Sequence, residues 1–119
     1  MMQIPVTQLR PWAHQLAQSH PDRPPIVLDV REPWELQTAS IAPDAGLNGF
    51  ELVHMAMRTV PARYLELDRD QPIACLCHHG ARSMQVAQFL LQNGFNQVVN
   101  IQGGIHAWAT EVDTNVSLY

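Results

Sequence analysis

Pro72–Leu91, PIACLCHHGARSMQVAQFLL, decides the fold, because an apolar strand, a short loop and a helix follow one another within it. Ile73–Leu76 is apolar without alternation, which is typical of a strand buried on both faces of a parallel sheet. The spacing of the apolar residues after the loop predicts a helix over Ser83–Asn93, and Gly94 is a natural C-terminal stop.

Segments on either side of this stretch repeat the alternation of strand and helix. Ile26–Val30 and Val98–Ile101 are apolar and β-branched and are predicted as strands, with weaker signals at Ile4–Val6 and Gly46–Asn48. The predicted helices are Gln8–Gln18 with Thr7 as its cap, Pro33–Leu36, Ala62–Leu67 after Pro61, and Ile105–Glu111. This order predicts an α/β domain with a parallel sheet.

Length and composition indicate one globular domain over residues 1–119. The chain has 119 residues, of which 46% are hydrophobic, and no apolar run approaches the length of a membrane span. The N-terminus lacks the basic start and long apolar core of a signal peptide. Cys75 and Cys77 lie too close in a strand to make a good disulfide, so we expect a reducing, cytoplasmic location.

The charges exclude several classes of function. The net charge is −4 and the seven basic residues are scattered, so we expect no nucleic-acid surface, and no membrane partner. All seven are arginine, which excludes lysine Schiff-base chemistry and a P-loop lysine. A bound anion must therefore be held by arginine, backbone amides or a helix end.

Cys77 is the candidate reactive group. A cysteine between a strand end and a helix start faces backbone N–H groups and the positive end of the helix dipole, which favour a thiolate. Gly80 lets the backbone curl, and Arg82 adds a permanent positive charge. Asp29–Glu32 and Gly103-Gly104 also follow predicted strands, so all three segments are expected to converge at the carboxyl edge of the sheet.

Three separated segments resemble the signatures of the rhodanese superfamily in its small single-domain form. Leu28–Glu35, LDVREPWE, resembles the first signature. Cys77–Ser83, CHHGARS, resembles the active-site loop C-x-x-G-x-R-S, and Gly103–Trp108, GGIHAW, resembles the terminal G-G-x-x-x-W. The resemblance covers about residues 7–112, leaving 113–119 as a tail, and implies a central parallel sheet flanked by helices on both faces.

The resemblance also implies sulfur transfer without a cofactor or a metal. Cys77 would take the outer sulfur of thiosulfate or another sulfane donor as a persulfide and pass it to a thiophilic acceptor. Arg82 would stabilise the thiolate and orient the donor. The bound anion and the terminal sulfur would be held by the loop, here His78, His79, Gly80, Ala81 and Ser83. The expected partners are a small sulfur-containing anion and an acceptor protein.

Two other functions are open on this fold. The C-x4-R spacing from Cys77 to Arg82 is tighter than the C-x5-R loop of related phosphatases, so a phosphatase or arsenate reductase is the less favoured enzyme. A non-catalytic binding or regulatory module is the other alternative, although both reactive residues are present. The chain departs from the family at Ser40–Ala45, which lacks the histidine and glycine of His-Ile-x-Gly-Ala.

The remaining polar and aromatic residues are given structural roles. Asp29 is expected to support the active loop through backbone donors, and Arg31 to pair with Glu35 four residues later. Cys75 is expected to pack in the core, and Trp34 and Trp108 are expected to be packing residues rather than platforms for a ligand. His106 is expected at the surface or behind the site. No zinc site is expected from Cys75, Cys77, His78 and His79, because their spacing is too tight and no second ligand pair is evident.

Overall fold

In a computed structural model, which describes residues 2–19, 21–41 and 51–119, the apolar runs form the centre of a parallel sheet. Within these residues the sheet has five strands in the order β1-β5-β4-β2-β3, and each neighbouring pair is parallel. The strands are β1 (Met2–Pro5), β2 (Ile26–Asp29), β3 (Glu51–His54), β4 (Ile73–Leu76) and β5 (Val98–Gln102). The carboxyl ends of β2, β4 and β5 therefore meet at one edge.

Helices connect the strands, as the sequence predicts. They are α1 (Leu9–Ser19), α2 (Pro33–Thr38), α3 (Val60–Arg63), α4 (Ala81–Gln92) and α5 (Gly104–Glu111), with 3-10 turns at Val6–Gln8, Met57–Thr59 and Tyr64–Glu66. None of the helices in the described ranges is long and apolar enough to cross a membrane.

The sheet separates two hydrophobic clusters, which confirms helices on both faces. On one face Leu9 and Ala13 of α1 pack with Ile105 and Trp108 of α5. On the other face the side chains of α4 pack with Val60 at the start of α3. Strand β4 contributes to both clusters, since Ala74 and Leu76 lie in the first, and Ile73 and Cys75 lie in the second. This two-sided burial explains why the strand is apolar at every position.

Several local predictions need correction. Thr7 does not cap α1, because it lies inside the 3-10 turn that precedes the helix. Strand β3 was not predicted, since its residues, ELVH, are exposed or half-buried at the edge of the sheet and form no apolar run. The weak strand signal at Gly46–Asn48 and most of the departure at Ser40–Ala45 lie outside the described residues. Trp108 is fully buried, whereas Trp34 is 62% exposed and packs edge-on against Tyr119, with ring centroids 6.1 Å apart.

Candidate active site

Cys77 lies directly after β4, where the chain curls into α4. Gly80 precedes that helix with a φ of +106°, a conformation that a residue with a Cβ rarely adopts. This curl directs the Gly80 N–H at the Cys77 Sγ, with a nitrogen–sulfur distance of 3.0 Å. The first amides of α4, from Ala81 to Ser83, have no acceptor within the helix. The site thus has a sulfur atom that accepts one backbone N–H at the start of a helix.

Ser83 and Asn100 hold this loop from behind. The Ser83 hydroxyl lies 3.3 Å from the Cys77 sulfur but 2.6 Å from Asn100 Oδ1. A hydroxyl has one proton, so the shorter contact to Asn100 takes it and the sulfur keeps the Gly80 amide as its donor. The Asn100 Nδ2 donates to the Gly80 carbonyl at 3.1 Å, which fixes the loop to β5.

The start of α5 docks on the same loop. The Ile105 N–H donates to the Cys77 carbonyl at 2.9 Å, and the His106 N–H donates to the His78 carbonyl at 3.1 Å. A Cβ on Gly104 would overlap both carbonyl groups, and its φ is +60°. The glycine pair of the third signature therefore allows helix and loop to touch, which confirms that the two segments converge.

Arg82 points to Glu35 rather than to the sulfur. Its guanidinium donates to both carboxylate oxygens of Glu35, each at 2.7 Å. Glu35 is buried and also accepts the Glu32 N–H at the start of α2. The hydrogen bonds from Arg82 lower the pKa of Glu35 from its ordinary 4.5 to about 2, and the same contact raises the pKa of Arg82. The sequence prediction that pairs Glu35 with Arg31 is therefore wrong.

Asp29 and Arg31 form a buried ion pair with each other. The guanidinium donates to both carboxylate oxygens, with a closest distance of 2.7 Å, and the Arg31 N–H also donates to Asp29. In the part of the chain that the structure describes, the Asp29 carboxylate accepts only from Arg31, so any support that it gives to the cysteine loop is indirect and not through backbone donors of that loop. Arg31 also donates to the Glu35 carbonyl and to the Tyr119 hydroxyl. The pair supports the site through Glu35.

Tyr119 brings the C-terminal tail onto the loop. Its hydroxyl donates to Glu35 Oε1 at 2.9 Å, and its ring stacks on His78 with centroids 3.8 Å apart and an angle of 5°. Desolvation, followed by the neighbouring His79, lowers the pKa of His78. The His78 imidazole is half-buried, whereas His79 and Ala81 are exposed. These residues form the outer side of the loop, above the buried Cys77, Gly80 and Ser83.

The comparisons with known proteins agree with this architecture. The rhodanese-like domain matches residues 12–111, so the chain belongs to that family. A sulfurtransferase of Allochromatium vinosum is 36% identical over 84 residues, which is 71% of each chain. A chloroplastic rhodanese-like/PpiC domain-containing protein of Arabidopsis thaliana is 38% identical over 93 residues, 78% of this chain and 30% of that protein.

Solved structures support the same fold. A rhodanese-like domain protein from Staphylococcus aureus superposes with a TM-score of 0.70 at 27% identity, covering 100% of this chain and 99% of the other. The central parallel sheet with helices on both faces is thus shown by the architecture and by this likeness.

Sequence reasoning missed the part that Asn100, Glu35 and Tyr119 have in the site. Asn100 could have been found from the sequence, because it is a polar residue in the middle of an apolar strand. A polar side chain that is buried in such a place needs hydrogen-bond partners. Glu35 carried the signal of an acidic residue in the first turn of α2, but its partner lies 47 positions away. Tyr119 could not be predicted, because only the folded chain brings the tail to the loop. His106, expected at the surface or behind the site, lies beside His79 with ring centroids 4.9 Å apart.

Proposed function

We propose that the protein is a sulfurtransferase that carries a sulfane sulfur as a persulfide on Cys77. The observation that carries the proposal is the 3.0 Å contact between the Gly80 N–H and the Cys77 sulfur at the start of α4. A backbone donor and the positive end of a helix stabilise a sulfur anion, which is the form that attacks. The sulfurtransferase relative of Allochromatium vinosum also supports this assignment.

The proposed reaction has two displacement steps. The Cys77 thiolate attacks the outer sulfur of thiosulfate, the sulfur–sulfur bond of the donor breaks, and sulfite leaves with the electron pair. An acceptor nucleophile such as cyanide or a thiolate then attacks the terminal sulfur and releases the Cys77 thiolate. A covalent intermediate of this kind gives ping-pong kinetics. The loop amides would hold the persulfide anion in both steps.

Arg82 has an indirect role in this proposal. Its guanidinium is held by Glu35, so its charge is fixed beside the helix start instead of closing onto the sulfur. The ionised Glu35 carboxylate neutralises most of the Arg82 charge, so Arg82 would act by bracing the start of α4 while the loop amides hold the anionic donor. His79 and Ala81 are exposed on the outer side of the loop, where a small anion or the surface of an acceptor protein would approach.

Mass spectrometry of the intact protein tests the proposal. Wild type incubated with thiosulfate should gain the mass of one sulfur atom, and cyanide should remove it. Cys75→Ser should behave like wild type, and Cys77→Ser should gain nothing. No gain with thiosulfate or with a low-molecular-weight persulfide would contradict the proposal, and hydrolysis of an aryl phosphate by the same sample would favour a phosphatase.

A further inference from the structure

Three imidazoles from two parts of the chain meet at the mouth of the loop. His78 and His79 belong to the loop, and His106 belongs to the first turn of α5. The ring centroids are 4.0 Å apart for His78 and His79, and 4.9 Å apart for His79 and His106. One nitrogen of each ring lies within 4.8 Å of one nitrogen of each of the other two.

The backbone fixes this arrangement. The His106 N–H donates to the His78 carbonyl at 3.1 Å, and the Ile105 N–H donates to the Cys77 carbonyl at 2.9 Å. These two hydrogen bonds set the position of α5 against the loop, and Gly104 permits the approach. The His106 side chain is therefore held beside the two loop histidines by contacts that do not involve any imidazole. A site on rigid elements of this kind is preorganised for a ligand.

Two of the three rings also have a polar atom in need of a partner. His78 Nε2 and His106 Nδ1 are buried and make no hydrogen bond within the part of the chain that the structure describes. Buried polar atoms in native proteins nearly always have a partner, so each such atom requires an explanation. Tyr119 covers the face of the His78 ring and its backbone hydrogen-bonds to His78, whereas Nε2 at the edge of that ring has no partner in the described residues.

We propose that His78, His79 and His106 bind one Zn²⁺ ion and leave a fourth position of a tetrahedral site open. Three histidines with an open position are an established zinc ligand set. Imidazole nitrogens suit zinc, copper and nickel and do not suit magnesium or calcium, which prefer oxygen.

The geometry needs only small side-chain movements. Zinc–nitrogen bonds of about 2.0 Å place the ligand atoms about 3.4 Å apart, so the 4.8 Å limit must close by a little over one ångström. Rotation of the exposed His79 ring supplies part of this movement. The sequence predicted no zinc site, because Cys75, Cys77, His78 and His79 are closely spaced and no second ligand pair was evident. The fold brings His106 beside His78 and His79 as a third imidazole.

Calorimetric titration with zinc chloride tests the site on the full chain. Wild type should bind one ion, and so should His14→Asn, a matched control because His14 is exposed on α1. His106→Asn should bind zinc at least about 10-fold more weakly than wild type. Loss of a residue that only orients a metal ligand already lowers affinity by about 10-fold or more, and His106 is itself a proposed ligand. His79→Asn should weaken binding in the same way, and its exposed position protects the fold.

The Cys77 thiol is the competing ligand, and two measurements separate it from the histidines. Cys77→Ser should bind zinc like wild type. Cobalt(II) bound in place of zinc should show the absorption of a tetrahedral ion without a sulfur-to-cobalt charge-transfer band. Loss of zinc binding in Cys77→Ser, or full binding in both His106→Asn and His79→Asn, would overturn the proposal. These readouts do not depend on sulfur transfer.

Discussion

Cys75 and Cys77 lie two residues apart and are almost equally buried, with 0% and 1% of their surface exposed. Both belong to the hydrophobic cluster on the α4 side of the sheet. Cys75 lies inside β4, where desolvation raises the pKa of its thiol. Cys77 lies past the end of β4 and receives the Gly80 N–H at 3.0 Å. Burial alone therefore does not decide what a cysteine does.

Cys77 has a hydrogen-bond donor at its sulfur and Cys75 has none in the described residues, and this difference comes from the backbone around each residue. Within a strand, the amides are engaged with neighbouring strands and none is directed at a side chain on the same strand. After the strand, the chain curls and enters a helix whose first amides have no acceptor within that helix. A displacement of two residues leaves the thiol in the same hydrophobic cluster but brings it to the N–H of Gly80.

The largest expected effect separates the two cysteines directly. Cys77→Ser should lower sulfur transfer at least about a thousand-fold, because it removes the nucleophile. Cys75→Ala should keep activity within a few-fold of wild type and cost about 1 kcal/mol of stability through the small cavity that it leaves. Thiosulfate turnover with cyanide and urea unfolding measure the two effects. Loss of activity in Cys75→Ala without unfolding would contradict the assignment.

The next largest effect concerns the contact between loop and α5. Gly104→Ala should cost about 3 kcal/mol or more, because its Cβ overlaps the Cys77 and His78 carbonyls at a positive φ. Gly94→Ala is the matched control, since Gly94 also has a positive φ but its Cβ would meet only the Arg69 side chain at 3.5 Å. The control should cost about 1 kcal/mol. If urea unfolding showed that Gly104→Ala and Gly94→Ala lose the same free energy of unfolding, the contact between α5 and the loop would not stabilise the protein.

The ion pair behind the loop gives a pH-dependent effect. Glu35→Gln should cost about 2 kcal/mol at neutral pH, because it removes a charged acceptor of the Arg82 guanidinium. The folded-state pKa of Glu35 is lowered to about 2 from 4.5, so this contribution is complete above pH 4.5. It is lost as the pH falls from 4.5 towards 2. The difference in stability between wild type and Glu35→Gln should therefore narrow over this range, and a constant difference would contradict the ion pair.

The smallest expected effect is at the tail. Tyr119→Phe removes the hydroxyl that joins Glu35 and Arg31 but keeps the ring on His78, and should cost about 1 kcal/mol. Tyr119→Ala removes the ring as well and should cost more. Thermal unfolding of the two variants measures both contributions. Equal effects would show that the ring stack contributes nothing.

Local pattern predicted the centre of the fold and of the site. Strand β4 was predicted at its observed bounds, and the cysteine loop followed from its position between strand and helix. The edge strand β3 could not be predicted in this way, because none of the residues of Glu51–His54 is fully buried and they form no apolar run. A buried strand can be recognised in the sequence by its apolar residues. An edge strand that pairs through backbone hydrogen bonds needs no such pattern.

Side-chain pairs between residues far apart in the chain could not be predicted from the sequence. An arginine and a glutamate four apart on a helix start predicted an Arg31–Glu35 pair, yet each side chain has a better partner elsewhere. Arg31 meets Asp29 in the buried turn after β2, and Glu35 meets Arg82 across the site. Charge spacing along a chain predicts contacts only when no folded neighbour offers a stronger one. Tyr119, whose partners Glu35 and Arg31 lie more than 80 residues away, illustrates the same limit.

Alkylation of the native protein tests the central comparison most directly. Iodoacetamide is added near neutral pH, the reaction is stopped at intervals, and peptide mass spectrometry measures modification at each cysteine. The account predicts that Cys77 is modified in the folded protein and that Cys75 is modified only after denaturation. Modification of both cysteines at the same rate, or protection of Cys77 for as long as Cys75, would contradict it.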